Sequence, residues 1–327
     1  MSKSLQKLLS VSRPWQGVAH LLGALALVGV CCLAGCHALF SQSGDNANKS
    51  AATAAQPTAM NDSSETVNTA ARSFYDVLST SLSERGLALE SVCDRKDPMA
   101  QRVLQEYGAL FVVGPSVKAP PVCVFADEAA VQQFQQTATF KAANPGSGTI
   151  ELQPAALDAL LAARAAAQQQ GLDITPRGGA DSARRSFADT LRLWETRFTP
   201  ALAHWQQAGR LPPEQAAQMR QMDWREQVRA VLELEKGGMF FSKDFSKSVF
   251  YSVAAPGTSQ HLSMLALDVT QFANPRVREI LAQHGWFQTV QSDLPHFTFL
   301  GLPEAELPEH GLRQVKSGGQ TFWIPNV

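Results

Sequence analysis

The chain has 327 residues, of which 45% are hydrophobic and 17% charged, and its net charge is −1. That length suffices for one large domain or two small ones, and the apolar fraction for a packed core. There is no basic excess to neutralise phosphates, so nothing points to nucleic acid as a partner.

Lys3, Lys7 and Arg13 form a basic start, and Gly17 to Gly35 is an almost unbroken apolar run ending Leu33-Ala34-Gly35-Cys36. This resembles a bacterial lipoprotein signal, with cleavage after residue 35 and a lipid on Cys36. A plain transmembrane anchor is the alternative, since the run is near the length that spans a bilayer. The resemblance implies a periplasm-facing lipoprotein in the cell envelope, and His37 in place of Asp implies the outer membrane. Cys31 and Cys32 fall in the removed signal peptide, which leaves Cys93 and Cys123 as an even pair in an oxidising compartment. A disulfide between them is expected; two separate buried thiols are the alternative. Residues 36–69 are rich in Ala, Ser, Asn, Thr and Gln and read as a flexible tether.

From about Ala70, Phe74, Val77, Leu78, Leu82 and Leu87 recur at helical spacing. A helix is expected at 98–107, and short buried strands at Gly108–Val113 and Val122–Phe125. Asp127 should cap a helix to about Ala142, and Asn144 to Gly148 form a turn cluster. A strand at Ile150–Leu152 precedes an Ala-rich helix from Pro154 to Gln170, stopped by Gly171. Leu172–Arg177 reads as a strand. Asp181 or Ser182 should cap a long helix carrying Arg184, Arg185 and Trp194, and a further helix runs from Pro213 to Gly237. Trp194, Trp205 and Trp224 sit at core-like positions and are read as packing residues. Ser248–Val253 alternates like a strand. Strands are also expected at Leu265–Val269, Phe287–Val290, His296–Leu300 and Gln320–Ile324, with a helix at Pro275–His284. Helices first and antiparallel strands last favour an α+β fold. The organisation read from this is an extension of unknown role at 70–150 and a peptidase domain at 151–327.

The chemistry concentrates in two stretches. Pro256 to Asp268 carries His261 and Asp268, and Asp293-Leu294-Pro295-His296 follows. Two imidazoles and a carboxylate make a three-ligand zinc set with an open fourth position. Zinc lowers the pKa of its water to about 7, and the remaining carboxylate, Asp293, can then act as general base and acid. Zn²⁺ is thus the expected cofactor, with His261, Asp268 and His296 as ligands. His204, His284 and His310 lack such a context.

Ser259-Gln260-His261 and Ala266-Leu267-Asp268 resemble the Ser-x-His-x-x-Gly-x-Ala-x-Asp motif of the LAS zinc peptidases. That family includes VanY-type D-Ala-D-Ala carboxypeptidases and L-Ala-D-Glu endopeptidases. Asp293-Leu294-Pro295-His296-Phe297 resembles its second motif, and His284-Gly285-Trp286-Phe287 the segment that precedes it. The match covers about 256–301, with a weaker one at 172–190; residues 70–150 have no counterpart. The resemblance implies helices packed on a small antiparallel sheet that carries the zinc site. It also implies peptidoglycan stem peptides as substrate, and cleavage of the D-alanyl-D-alanine bond. An L-Ala-D-Glu endopeptidase and an inactive cell-wall-peptide-binding lipoprotein are the alternatives.

Two positions depart from the pattern. Met264 replaces the motif glycine, and Asp293 replaces the carboxypeptidases' Glu, although the endopeptidase branch uses Asp. Both branches place an Arg upstream. Arg185, in Arg185-Ser186-Phe187, and Arg177 are the candidates to hold a substrate carboxylate and polarise the scissile carbonyl. Ser259 is read as a hydrogen-bonding member of the site.

Overall fold

The computed structural model describes residues 72–146 and 148–327. The expected signal peptide, Cys36 and the tether lie outside these residues. No helix among the described residues is long and apolar enough to cross a membrane.

Among the described residues, nine α-helices and seven short strands follow in an order that is helical first and antiparallel later, an α+β arrangement. Helix α1 (Phe74–Glu84), α2 (Leu89–Val92) and α3 (Pro98–Tyr107) lead. Asp97 caps α3 by accepting from the Met99 N–H. The Cys93–Cys123 disulfide forms, with Cα atoms 5.2 Å apart. Gly108–Val112 is a buried 3₁₀ turn continuing α3, not a strand. A short apolar run is buried equally well in either form, and periodicity does not separate them. Val122–Phe125 is likewise irregular: Cys123 N–H bonds Val92 and Phe125 N–H bonds Gly257, so no ladder forms.

Helix α4 (Glu128–Ala138) is capped by Asp127 and stops short of Ala142, because Lys141–Ala143 (β1) pairs with Ile150–Leu152 (β2) across the turn cluster. Helix α5 (Pro154–Gln168) packs its Ala and Leu face into the core. Leu172–Arg177 is no strand. It touches the sheet only at its end, through a Pro176–Val269 bridge. Helix α6 (Phe187–Gln207) starts later than expected: Ser186 forms a capping box with Asp189, while Asp181 and Ser182 belong to a separate 3₁₀ turn, Gly179–Ser182. Arg184 and Arg185 therefore stand in the turn before α6, free of helical geometry. The next expected helix is two, α7 (Pro213–Gln221) and α8 (Trp224–Lys236), because Asp223 caps a new start. Trp194 and Trp205 are buried, and their indole N–H groups bond Gln227 and the Phe240 carbonyl. Trp224 packs edge-on against Phe187. All three serve packing.

Ser248–Val253 contains a 3₁₀ turn, Val249–Tyr251, rather than a strand. The central sheet is β3 (Ala266–Asp268), β5 (His296–Phe299) and β4 (Trp286–Phe287) in the order β3-β5-β4, with α9 (Pro275–Gln283) between β3 and β4. A C-terminal hairpin pairs β6 (Leu312–Ser317), which periodicity did not reveal, with β7 (Gln320–Pro325).

Register does the positioning. Asp268 faces His296 and Ala266 faces Thr298, so Asp268, His296 and Thr298 share one face of the antiparallel pair. Leu265, Leu267, Phe297 and Phe299 go to the opposite face and join the core under α5 and α9.

Candidate metal centre

His261 sits in a 3₁₀ turn, Gln260–Ser263, that leads into β3. Asp268 ends β3 and His296 opens β5. One potential ligand atom from each lies within 4.8 Å of the others. His261 Nε2 is 3.5 Å and His296 Nδ1 3.4 Å from Asp268 Oδ1. Tetrahedral zinc ligands at about 2.0–2.1 Å from the metal stand roughly 3.3 Å apart, so these separations suit the ion.

The far side of each ring fixes its tautomer. His261 Nδ1 lies 2.9 Å from the Ala183 carbonyl, which only an N–H can satisfy. His296 Nε2 lies 2.7 Å from Gln260 Oε1. That amide's orientation is set, because Gln260 Nε2 donates to the Tyr107 carbonyl at 2.9 Å and Thr298 Oγ1 donates to Oε1 at 2.6 Å. In this tautomer each imidazole turns its other nitrogen toward Asp268, whose Oδ1 is buried without a donor. Three electron-rich atoms converge with no proton between them, and a cation resolves that repulsion. The residues fit a zinc ion on their own chemistry.

Electrostatics agree in sign. Burial, then the Arg185 guanidinium, hold the His261 ring below the ordinary imidazole range, while Asp268 opposes them. Burial raises the Asp268 carboxyl, yet it is held well below the usual carboxylate range; with a lone pair of each ring turned toward it, the charge that does so is the permanent one of the Arg185 guanidinium, 3.0 Å from Oδ2.

Arg185 is thus engaged with Asp268 and, through Nε, with the Asp181 carbonyl at 2.9 Å. Arg177 donates its backbone N–H to the Asp268 carbonyl at 2.8 Å, and its guanidinium lies over Phe272. Ser259, Asp293, both arginines and both histidines line one cavity. Asp293 is exposed in the loop before β5, and its backbone carbonyl accepts from His296 N–H. Burial pushes the neighbouring Tyr107 phenol up, with the charges of Glu106 and Asp293 adding. His284 ends α9, with Nδ1 on the Ile280 carbonyl, and takes no part in the cluster.

Met264 adopts φ 58° and ψ 29°, the left-handed conformation that glycine favours, with its side chain wholly buried. The backbone thus follows a glycine-like path at a cost of about 1–2 kcal/mol.

Composition gave no sign of the three buried glutamines that brace this loop. Gln260 sits behind His296. Gln135 Nε2 bonds the Arg185 and Leu262 carbonyls, at 3.0 and 3.1 Å. Gln153 Nε2 bonds the Ser263 carbonyl at 2.9 Å, and its backbone N–H bonds Met264. Gln135 and Tyr107 come from the stretch before residue 150, which forms one compact unit with the rest of the described residues.

No protein-family model and no curated protein matches the chain. Among solved structures, that of the LdcB LD-carboxypeptidase, described in terms of peptidoglycan recognition, is similar at 15% identity with a TM-score of 0.26. The alignment covers 46% of this chain and 60% of that one, so the chain spans about three fifths of its length. A TM-score of 0.26 is too low to show a shared fold.

Proposed function

We propose that the chain is a zinc-dependent peptidase acting on peptidoglycan stem peptides, as a D-alanyl-D-alanine carboxypeptidase. In this reading it is carried in the cell envelope by a lipid on Cys36, facing the periplasm from the outer membrane. The observation that carries the proposal is the convergence of one potential ligand atom each from His261, Asp268 and His296, with both histidines lining a cavity that also holds the Asp293 carboxylate and arginines. The motif resemblance over 256–301 supplies the substrate class.

A zinc ion held by the three ligands supplies Lewis acidity and makes a water nucleophilic near neutral pH. The chain's own residues do the rest. Gln260 and the Ala183 carbonyl keep the ligating nitrogens unprotonated. Arg185 keeps Asp268 ionised and oriented. Asp293 takes the proton of the attacking water and returns it to the leaving amine. With Arg185 engaged, Arg177 has no carboxylate partner among the described residues and holds the substrate's terminal carboxylate, while Ser259 donates to the substrate backbone.

The test incubates the full-length chain, in detergent and zinc, with stem pentapeptide and follows products by mass spectrometry. Release of D-Ala is expected, together with about a 10²–10⁴-fold loss in Asp293→Ala at unchanged zinc content. His261→Ala and His296→Ala should each abolish stoichiometric zinc. No hydrolysis of any stem peptide at full zinc occupancy overturns the enzyme reading. The Asp-x-Pro-His-Phe form of 293–297 favours one second reading, an L-Ala-D-Glu endopeptidase, and the same experiment identifies it by cleavage at the base of the stem.

A further inference from the structure

The cavity over the metal centre, about 590 Å³, continues past it along α6. Thr190, Leu193 and Arg197 line it from that helix, at the spacing that places side chains on one face. Lys243 and Ser252 line it beside Arg197. Asp293 is the carboxylate among the lining residues, against Arg177, Arg185, Arg197 and Lys243. Arg185 is paired with Asp268, whereas Arg197 and Lys243 have no ion-pair partner among the described residues.

Arg197 and Lys243 meet on one oxygen. Ser252 Oγ accepts from Arg197 Nε at 2.6 Å and from the Lys243 backbone N–H at 3.1 Å. A hydroxyl has two acceptor lone pairs and one donor, so Ser252 is left with its O–H to give. Arg197 Nη1 bonds the Thr196 carbonyl at 3.3 Å and its Oγ1 at 2.9 Å. That carbonyl lost its helical partner to Pro200, four residues on, so the arginine is held in place by the helix break. Nη2 and the Lys243 ammonium have no acceptor among the described residues. Asp244, next in sequence, turns its carboxylate into its own loop, accepting from Ser242 and Ser246 at 2.7 Å each. Three residues that line one cavity thus each carry a donor with no acceptor among the described residues, Arg197 Nη2, the Ser252 O–H and the Lys243 ammonium, two of them cationic.

We infer that Arg197, Ser252 and Lys243 form a second anion subsite that reads a carboxylate on the peptide substrate far from the bond being cut. The inference rests on the peptidase reading and extends it to the other end of the ligand. Ser186, beside the metal end, and Arg197 are eleven residues apart on α6. At about 1.5 Å per residue that is roughly 16 Å. An extended peptide advances about 3.3 Å per residue, so the second carboxylate falls about five residues from the group at the metal, beyond the reach of a single stem pentapeptide and on a peptide joined to it.

The test uses the full-length zinc-loaded chain and N-acetyl hexapeptides of alanine ending in D-Ala-D-Ala. A single Glu is moved from the first to the fourth position, with Gln in the same place as the control, and Kd is read by calorimetry before turnover on an Asp293→Asn background. Glu at the first or second position should bind about tenfold tighter than Gln, a preference that weakens with salt. Arg197→Gln and Lys243→Gln should each shrink that ratio, with Lys243→Gln serving as the check on an exposed residue should the α6 variant fold poorly. Equal Kd for every Glu and Gln pair overturns the subsite, as does absence of binding by the whole series. Failure of the peptidase reading appears separately, as absent zinc or absent hydrolysis by the parent chain.

Discussion

Replacing Gln260 by Leu tests the candidate metal centre without touching any of its three proposed ligands. The leucine fills similar volume but leaves His296 Nε2–H and the Tyr107 carbonyl buried without their partners at 2.7 and 2.9 Å. Thr298 loses its 2.6 Å bond but keeps Thr289, 2.7 Å away. Two buried groups at about 1–3 kcal/mol each make a stability loss of about 2–6 kcal/mol. Removing the hydrogen bond behind a ligating imidazole costs about 10–100-fold in metal affinity. That corresponds to about 1.4–2.8 kcal/mol. Zinc Kd would be read by competition with a chromogenic chelator, and stability by urea unfolding. Gln260→Glu separates the two roles: it keeps an acceptor for His296 and loses only the donor to Tyr107, so zinc Kd should stay near the parent value while stability falls. If Gln260→Leu binds zinc as tightly as the parent, or Gln260→Glu binds as poorly as Gln260→Leu, the tautomer argument fails.

Met264→Gly relieves about 1–2 kcal/mol of left-handed strain but removes a side chain packed with Phe125, Phe134 and Phe187. That loss is about 2–5 kcal/mol, so net destabilisation by urea melts is expected, with zinc content unchanged; a more stable variant would show that strain dominates. Removing the Cys93–Cys123 link, which spans 30 residues, should cost about 3–4 kcal/mol in Cys93→Ser/Cys123→Ser, and parent and double variant should unfold alike under reductant. Because burial holds the His261 ring low, the unfolded chain takes up a proton near pH 6.5 that the folded, metal-free chain does not. Stability should therefore fall as pH drops from about 7 to 5, and that fall should shrink in His261→Asn; Asp268 is held low and adds its own loss only below about pH 4. An unaltered pH slope between parent and variant would contradict the burial argument.

Chain order and residue chemistry were enough to bring His261, Asp268 and His296 together as candidates, because ligand types at motif spacing need no tertiary information. Helix starts written locally were legible for the same reason: the Asp127 side chain accepts from a backbone N–H three residues on, and the prolines that begin α5 and α9 have the fixed φ and absent N–H that suit a first helical position. What the sequence could not decide was everything set by distant partners. Leu172–Arg177 and Ser248–Val253 look like strands, yet strand pairing is settled by neighbours far along the chain. Whether Arg185 meets solvent or Asp268 depends on where α6 begins, and the Ser186 cap decided that over Asp181. Gln135, Gln153 and Gln260 carry no periodic mark, since a buried amide is chosen by the carbonyls around it. The sequence by itself singled out His261, Asp268 and His296 as a candidate ligand set, and the fold brings them together. Only the tertiary structure decided which ring nitrogens are free for a metal, because tautomers are fixed by hydrogen bonds across the fold.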